Sequence, residues 1–236
     1  MIKRIKNKIK YLIKSATTKT YYVFGDSHCE VFEHISDEKL LKGVEFKVNW
    51  IGGATAQGMR NPNSKTNALS IFSEDIKNIN RNADLFFQLG EVDTGFVIWY
   101  RSMKYNEPVN KQLNDSVRHY FEFLNEVSDL GFENITIISA PLPTIKDNQD
   151  WGEIANLRKE IKATQVERTE LTIAYNNLLK EEAEKNGYKF IDTDIYLFNE
   201  NTGIIREEFL NKDKNNHHLD LEAYTQVLLK AFNEKN

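Results

Sequence analysis

Thr20-Tyr21-Tyr22-Val23-Phe24-Gly25-Asp26-Ser27-His28 is the stretch from which the fold of this chain can be read. Its first five residues are β-branched or aromatic, as in a buried strand, and the run stops at a glycine. A polar Asp-Ser-His follows, and Cys29 to Ile35 has a short helical pattern. Strand, tight turn and helix in that order form the repeating unit of a parallel α/β sheet.

The unit recurs along the chain. Val44 to Ile51 reads as a second strand ending in Gly52-Gly53, and Asp84 to Leu89 as a third ending in Gly90. Asn134 to Ala140 reads as a fourth, stopping before Pro141, and Tyr188 to Asp192 as a short fifth. Between them Asn67 to Ile79, Val109 to Leu130, Ile154 to Asn186 and Leu221 to Asn233 carry helical periodicity, with Gly187 as a stop signal. This alternation predicts one three-layer α/β domain over residues 19–236 with a five-stranded parallel sheet. Leu142 to Gly152 reads as a surface loop, a candidate lid.

Composition narrows the class. The 236 residues are 40% apolar and include 14 Phe, 10 Tyr and 3 Trp, which supplies a core and excludes a disordered chain. No stretch reaches the roughly 18 uninterrupted apolar residues of a membrane span. A single cysteine, Cys29, excludes an intrachain disulfide and makes a cysteine-based zinc site a poor fit. That usage suits a reducing, cytoplasmic compartment.

Charge is uneven. Residues 1–14, MIKRIKNKIKYLIK, hold Lys3, Arg4, Lys6, Lys8, Lys10 and Lys14 and no acid, so the remainder is more acidic than the net charge of −4. An acidic body argues against nucleic acid as a partner. The head, residues 1–18, reads as a basic amphipathic helix with Ile2, Ile5, Ile9, Leu12 and Ile13 on one face. It suits peripheral contact with an anionic membrane surface, or packing on its own domain or a partner. Oligomeric state is not encoded in any pattern here.

Ligands of such sheets bind at the carboxyl ends of the strands. Those ends read Gly25-Asp26-Ser27-His28, Gly52-Gly53-Ala54-Thr55, Gly90-Glu91-Val92-Asp93 and Pro141-Leu142-Pro143. Ser27 stands where a hydroxyl emerges beside a helix N-terminus, though Ser27 and Asp26 also suit a helix cap. A serine nucleophile needs a base. Far downstream, Asn215-Asn216-His217-His218-Leu219-Asp220 places two histidines in a polar loop, a solvated loop being the alternative. GxSxG, GxGxxG and HExxH are absent, and Met59 stands where a P-loop would need lysine.

Phe24-Gly25-Asp26-Ser27, the Asn49 to Thr55 segment, Leu89-Gly90-Glu91-Val92-Asp93 and His218-Leu219 resemble, in order, the four blocks of the SGNH/GDSL hydrolases. The GEVD block resembles most closely a cytoplasmic-type group associated with bacterial surface polysaccharides. The resemblance implies a flavodoxin-like α/β/α sandwich, no metal and no organic cofactor. It implies Ser27 as nucleophile and first oxyanion donor, Gly53 (or adjacent Gly52) as a second donor, and His218 as base.

Two positions depart from the family pattern. Val92 stands where an asparagine would be a third oxyanion donor, and Asn215 where the triad aspartate would be, three residues before His218. Asp213 is the nearby carboxylate that is the candidate to replace that aspartate, and a Ser27–His218 dyad is the alternative. Glu91, Asp93, Arg101 and His217 are candidate substrate contacts. The two acids would bind a sugar hydroxyl, hold Arg101 or raise the pKa of the histidine. Trp99 and Tyr100 beside Arg101 suit stacking on a sugar and gripping an anion, with helix packing as the alternative, and Arg168 is a weaker candidate of that kind. The implied activity is hydrolysis of a small acyl ester, acetyl for instance, on a small molecule or glycan. Glycan O-acyl transfer and non-catalytic carbohydrate binding are the alternatives.

Overall fold

The computed structural model describes residues 18–147 and 161–233. The basic head, part of the Leu142 to Gly152 loop and the first turns expected for the Ile154 helix lie outside them. Five strands, β1 (Lys19–Gly25), β2 (Val44–Trp50), β3 (Asp84–Gln88), β4 (Asn134–Ile138) and β5 (Lys189–Ile191), form one sheet in the order β2-β1-β3-β4-β5. Every pairing is parallel, and Gly25 sits opposite both Trp50 and Gln88. The carboxyl ends of the three strands before the glycine-bearing turns are therefore level.

The two faces of the sheet build two cores. Along β1, Tyr21 and Val23 point one way and Phe24 the other; along β3, Phe86 opposes Leu85 and Phe87. Helices α1 (Glu30–Asp37) and α7 (Leu221–Asn233) cover the face with Tyr21, through Phe32, Ile35, Tyr224, Leu228 and Phe232. Helices α2 (Ala68–Lys77), α4 (Val109–Asp129) and α5 (Gln165–Asn186) cover the other with Phe72, Tyr120, Phe123, Tyr175 and Leu179. Burial on both faces explains the apolar runs of β1, β3 and β4, whereas the edge strand β2, VEFKVNW, alternates and is half-exposed. Among the described residues no helix is long and apolar enough to cross a membrane.

Helix α3 (Ile98–Tyr105) follows a π turn at Asp93–Val97, and α6 (Asp194–Leu197) precedes a small hairpin of β6 (Phe198–Asn199) and β7 (Ile204–Ile205). The expected helix from Ile154 needs correction, because residues 161–164 are not helical and α5 begins at Gln165. Its start is a capping box. The Thr164 hydroxyl accepts from the Glu167 backbone N–H at 3.2 Å, and the Thr164 N–H donates to the Glu167 carboxylate at 2.7 Å. A Thr-x-x-Glu signature was thus present in the sequence and outweighs the apolar periodicity upstream.

Gly25 closes β1 for a steric reason. A Cβ there would lie 2.2 Å from the Gln88 carbonyl oxygen and 2.4 Å from Cys29 Sγ. The absent side chain lets β1 and β3 stay paired while the chain turns directly into the helix behind Ser27.

Candidate active site

Leaving β1, Asp26 is extended and caps a 3-10 turn, Ser27–Cys29, its Oδ1 accepting from the His28 N–H at 2.9 Å. This turn lifts Ser27 to the rim of the sheet, half-buried, while Asp26 and His28 stay buried. Some 190 residues later, the loop before α7 returns to the same rim. It is held by the Leu210–Leu219 bridge, by the Asp220 N–H on the Phe209 carbonyl at 2.8 Å, and by the buried Thr144 hydroxyl on the His217 carbonyl.

His218 Nε2 and Ser27 Oγ are 2.8 Å apart. On the far side of the ring, Asn216 Oδ1 lies 2.9 Å from the His218 backbone N–H and 3.0 Å from His218 Nδ1. The backbone N–H can only donate, so the Asn216 atom there must be oxygen. Oxygen in turn requires the proton on Nδ1. Nε2 then carries the lone pair and accepts from the Ser27 hydroxyl, the tautomer a general base needs.

The third member of this chain is therefore Asn216, which corrects the expectation of Asn215 or Asp213. Asn215 and Asp213 are exposed, and the Asp213 carboxylate accepts from the Asn215 N–H at 2.9 Å instead of meeting the imidazole. The missed signal was local. A side-chain oxygen two residues before a histidine can bond both its N–H and its Nδ1, an Asx turn. Asp26 and His28 repeat that geometry, with His28 Nδ1 3.0 Å from Asp26 Oδ1.

The loop after β2 provides the facing wall. Ala54 N–H closes a turn on the Ile51 carbonyl at 3.0 Å, and within it only Gly53, not Gly52, has a positive φ, at 74°. Asp93 braces this loop from β3. Its carboxylate accepts from Ala56 N–H at 2.8 Å, Gln57 N–H at 2.9 Å and Ser116 Oγ at 2.8 Å. Burial, opposed by these three bonds, raises the Asp93 pKa to about 6.

Of the expected substrate contacts, Asp93 and Arg101 are bonded elsewhere in the protein. Asp93 is fully buried and spent on the loop, and Glu91 is only 3% exposed. Arg101 Nε donates to Gln112 Oε1 at 2.7 Å, with the guanidinium 5.0 Å from the Tyr105 ring centre. Asp93 opens the π turn, and Arg101 follows, half-buried, in α3. Trp99 Nε1 is likewise tied to the Thr94 carbonyl at 2.7 Å. Arg168 is buried and donates to the Ile145 carbonyl at 2.7 Å, so it anchors the base of the 142–147 loop.

His217 does lie at the site, its ring centre 4.3 Å from that of His218. His28 packs edge-to-face on His218 at 4.9 Å, a neighbour the sequence reading did not single out. Beneath them the buried Gln88 side chain donates to the Ser139 carbonyl at 3.0 Å and to Tyr224 Oη at 2.7 Å, tying β3, β4 and α7 under the site. Among the described residues no group of three or more His, Cys, Asp or Glu is arranged to hold a metal ion.

No protein-family model matches the sequence, and no curated protein matches it. Solved structures do. A GDSL-like lipase from Bacteroides thetaiotaomicron VPI-5482 aligns with a TM-score of 0.60 at 14% identity, covering 97% of this chain and 98% of that one. A protein assigned to the SGNH hydrolases, from Slackia heliotrinireducens, aligns with a TM-score of 0.54 at 14% identity, over 91% and 98% of the two chains. An acetyl xylan esterase aligns with a TM-score of 0.51 at 11% identity, over 90% and 98%. With the sheet order, the strand-end turns and the level carboxyl rim already described, these alignments establish that the chain has the fold of the SGNH/GDSL hydrolases.

Proposed function

We propose that the chain is a serine ester hydrolase acting on a small acyl ester. The observation that carries this is the 2.8 Å contact between Ser27 Oγ and the unprotonated nitrogen of His218. Ser27 attacks the acyl carbon while its proton passes to His218 Nε2, giving a tetrahedral oxyanion and an imidazolium. Collapse returns that proton to the leaving alcohol oxygen and leaves an acyl-serine. Water, deprotonated by the same ring, then releases the acid.

The backbone N–H groups of Ser27 and Gly53 serve as oxyanion donors. The positive φ of Gly53 supports its assignment over Gly52. Val92 supplies no third donor, and one such donor is worth roughly 10²–10³ in rate. Asn216 fixes the tautomer but adds no charge.

The acetyl xylan esterase among the structural neighbours supports an acetyl ester on a carbohydrate as the substrate class. A second reading, a glycan O-acyltransferase or a non-catalytic carbohydrate-binding descendant, is favoured by Val92 and by the amide in place of a triad acid. Purified protein tested on p-nitrophenyl acetate and on acetylated xylo-oligosaccharide, with and without acceptor sugars, separates these. Acid release without acceptor, lost in Ser27→Ala, supports the hydrolase. Turnover only with acceptor supports the transferase, and no turnover with retained sugar binding supports the binding protein. The basic sequence of residues 1–14 supports work at an anionic membrane surface on the cytoplasmic side. Sedimentation with phosphatidylglycerol vesicles, compared with a chain lacking residues 1–14, tests it.

A further inference from the structure

A transient imidazolium forms at His218, and the Asn216 oxygen beside its Nδ1 carries no formal charge. A carboxylate lies one ring further away. Asp26 is fully buried, its Oδ1 takes both His28 bonds, and its Oδ2 has no hydrogen-bond partner. A buried carboxyl oxygen without a hydrogen-bond partner calls for an explanation beyond helix capping, which Oδ1 already performs. The His28 ring touches both, bonded to this carboxylate at 3.0 Å and packed edge-to-face on His218 at 4.9 Å.

We propose that Asp26, acting through the His28 ring, supplies negative charge that stabilises the His218 imidazolium. Asp26 and His28 are positioning residues here, since neither touches the reacting atoms. The inference rests on the assignment of Ser27 and His218 given above. At the low effective dielectric of a buried site, a charge acts usefully through one neighbouring ring. The imidazolium forms as Ser27 bonds to the acyl carbon, so the stabilisation appears in the transition state and not on substrate binding.

Asp26→Asn isolates the charge, because asparagine caps as well as aspartate and its oxygen can still accept from both His28 groups. In the variant, kcat on p-nitrophenyl acetate should fall roughly 10- to 100-fold, with KM little changed. The acidic limb of the kcat/KM profile should move to lower pH. Adding Asn216→Asp, which puts a carboxylate directly on His218 Nδ1, should restore most of the lost rate and return the limb upward. The other titratable groups facing this cluster are His217, Cys29, Asp93, Tyr120, Tyr175 and Tyr224. Cys29, Asp93 and the three tyrosines each feel the Asp26 charge, so the restoration by Asn216→Asp is the readout that assigns the effect to His218.

Three outcomes overturn the inference. An Asp26→Asn variant with wild-type kcat does so while Ser27 keeps its role. A loss that Asn216→Asp fails to restore would show Asp26 to be a scaffold residue only. Full turnover in Ser27→Ala would remove the nucleophile assignment and the inference with it. Should Asp26→Asn fail to fold, Asp26→Ser, which also caps, is read by the same criteria.

Discussion

Replacing Asp93 with asparagine probes how the wall of the site is held. The native carboxyl titrates at about 6 because burial outweighs its three hydrogen bonds, whereas an unfolded aspartate titrates near 3.8. A folded pKa above the unfolded one means that the folded state binds the proton more tightly between about pH 4 and 6. Stability from this group therefore rises as pH falls through that window and is lost as pH climbs above it. Two pKa units correspond to about 3 kcal/mol of such dependence, an order-of-magnitude figure. Asp93→Asn has no such titration. Urea unfolding of both proteins at half-unit intervals from pH 4 to 7.5 gives the difference directly, and Asp194, whose burial raises its pKa to about 7, cancels in it. The stability of wild type minus variant should decline by about 3 kcal/mol from pH 4 to 7.5. A flat difference would refute the account of Asp93 as an ionised, desolvated clamp.

The same variant turns an amide NH₂ toward either the Ala56 or the Gln57 N–H, so the loop must shift and kcat should fall about 10-fold or more, measured on p-nitrophenyl acetate. Val92→Asn restores the side-chain type that the hydrolase pattern has at this position. If its amide reaches the oxyanion, kcat should rise by up to about 10² in the same assay, since that is the worth of one donor. Gly25→Ala forces a methyl to 2.2 Å from the Gln88 carbonyl, and the melting curve should show a loss of about 3 kcal/mol or more.

The sheet was legible because its central strands are buried on both faces and β1 to β4 each run into a glycine or proline, signals that need no tertiary context. Ser27 was legible as a reactive residue at a strand end, and His218 as one of two histidines in a polar loop. Asn216 was not, since choosing among Asn215, Asn216 and Asp213 depends on how one turn rotates. Asp93 is withdrawn from the role expected for it by burial, and Arg101 by its bond to Gln112. A charged residue after a strand looks like a ligand contact, yet here Asp93, at the start of the π turn, bonds the loop of Gly53 and Arg101 bonds Gln112. The Asp26–His28 pair was hidden because its partner ring comes from the other end of the chain.

Fluorophosphonate labelling followed by peptide mapping tests the central claim most directly. A single adduct on Ser27, formed by wild type and lost in His218→Ala while circular dichroism stays native, is the predicted result. A folded wild-type protein that takes no label at Ser27, or a His218→Ala variant that labels at the wild-type rate, would contradict it.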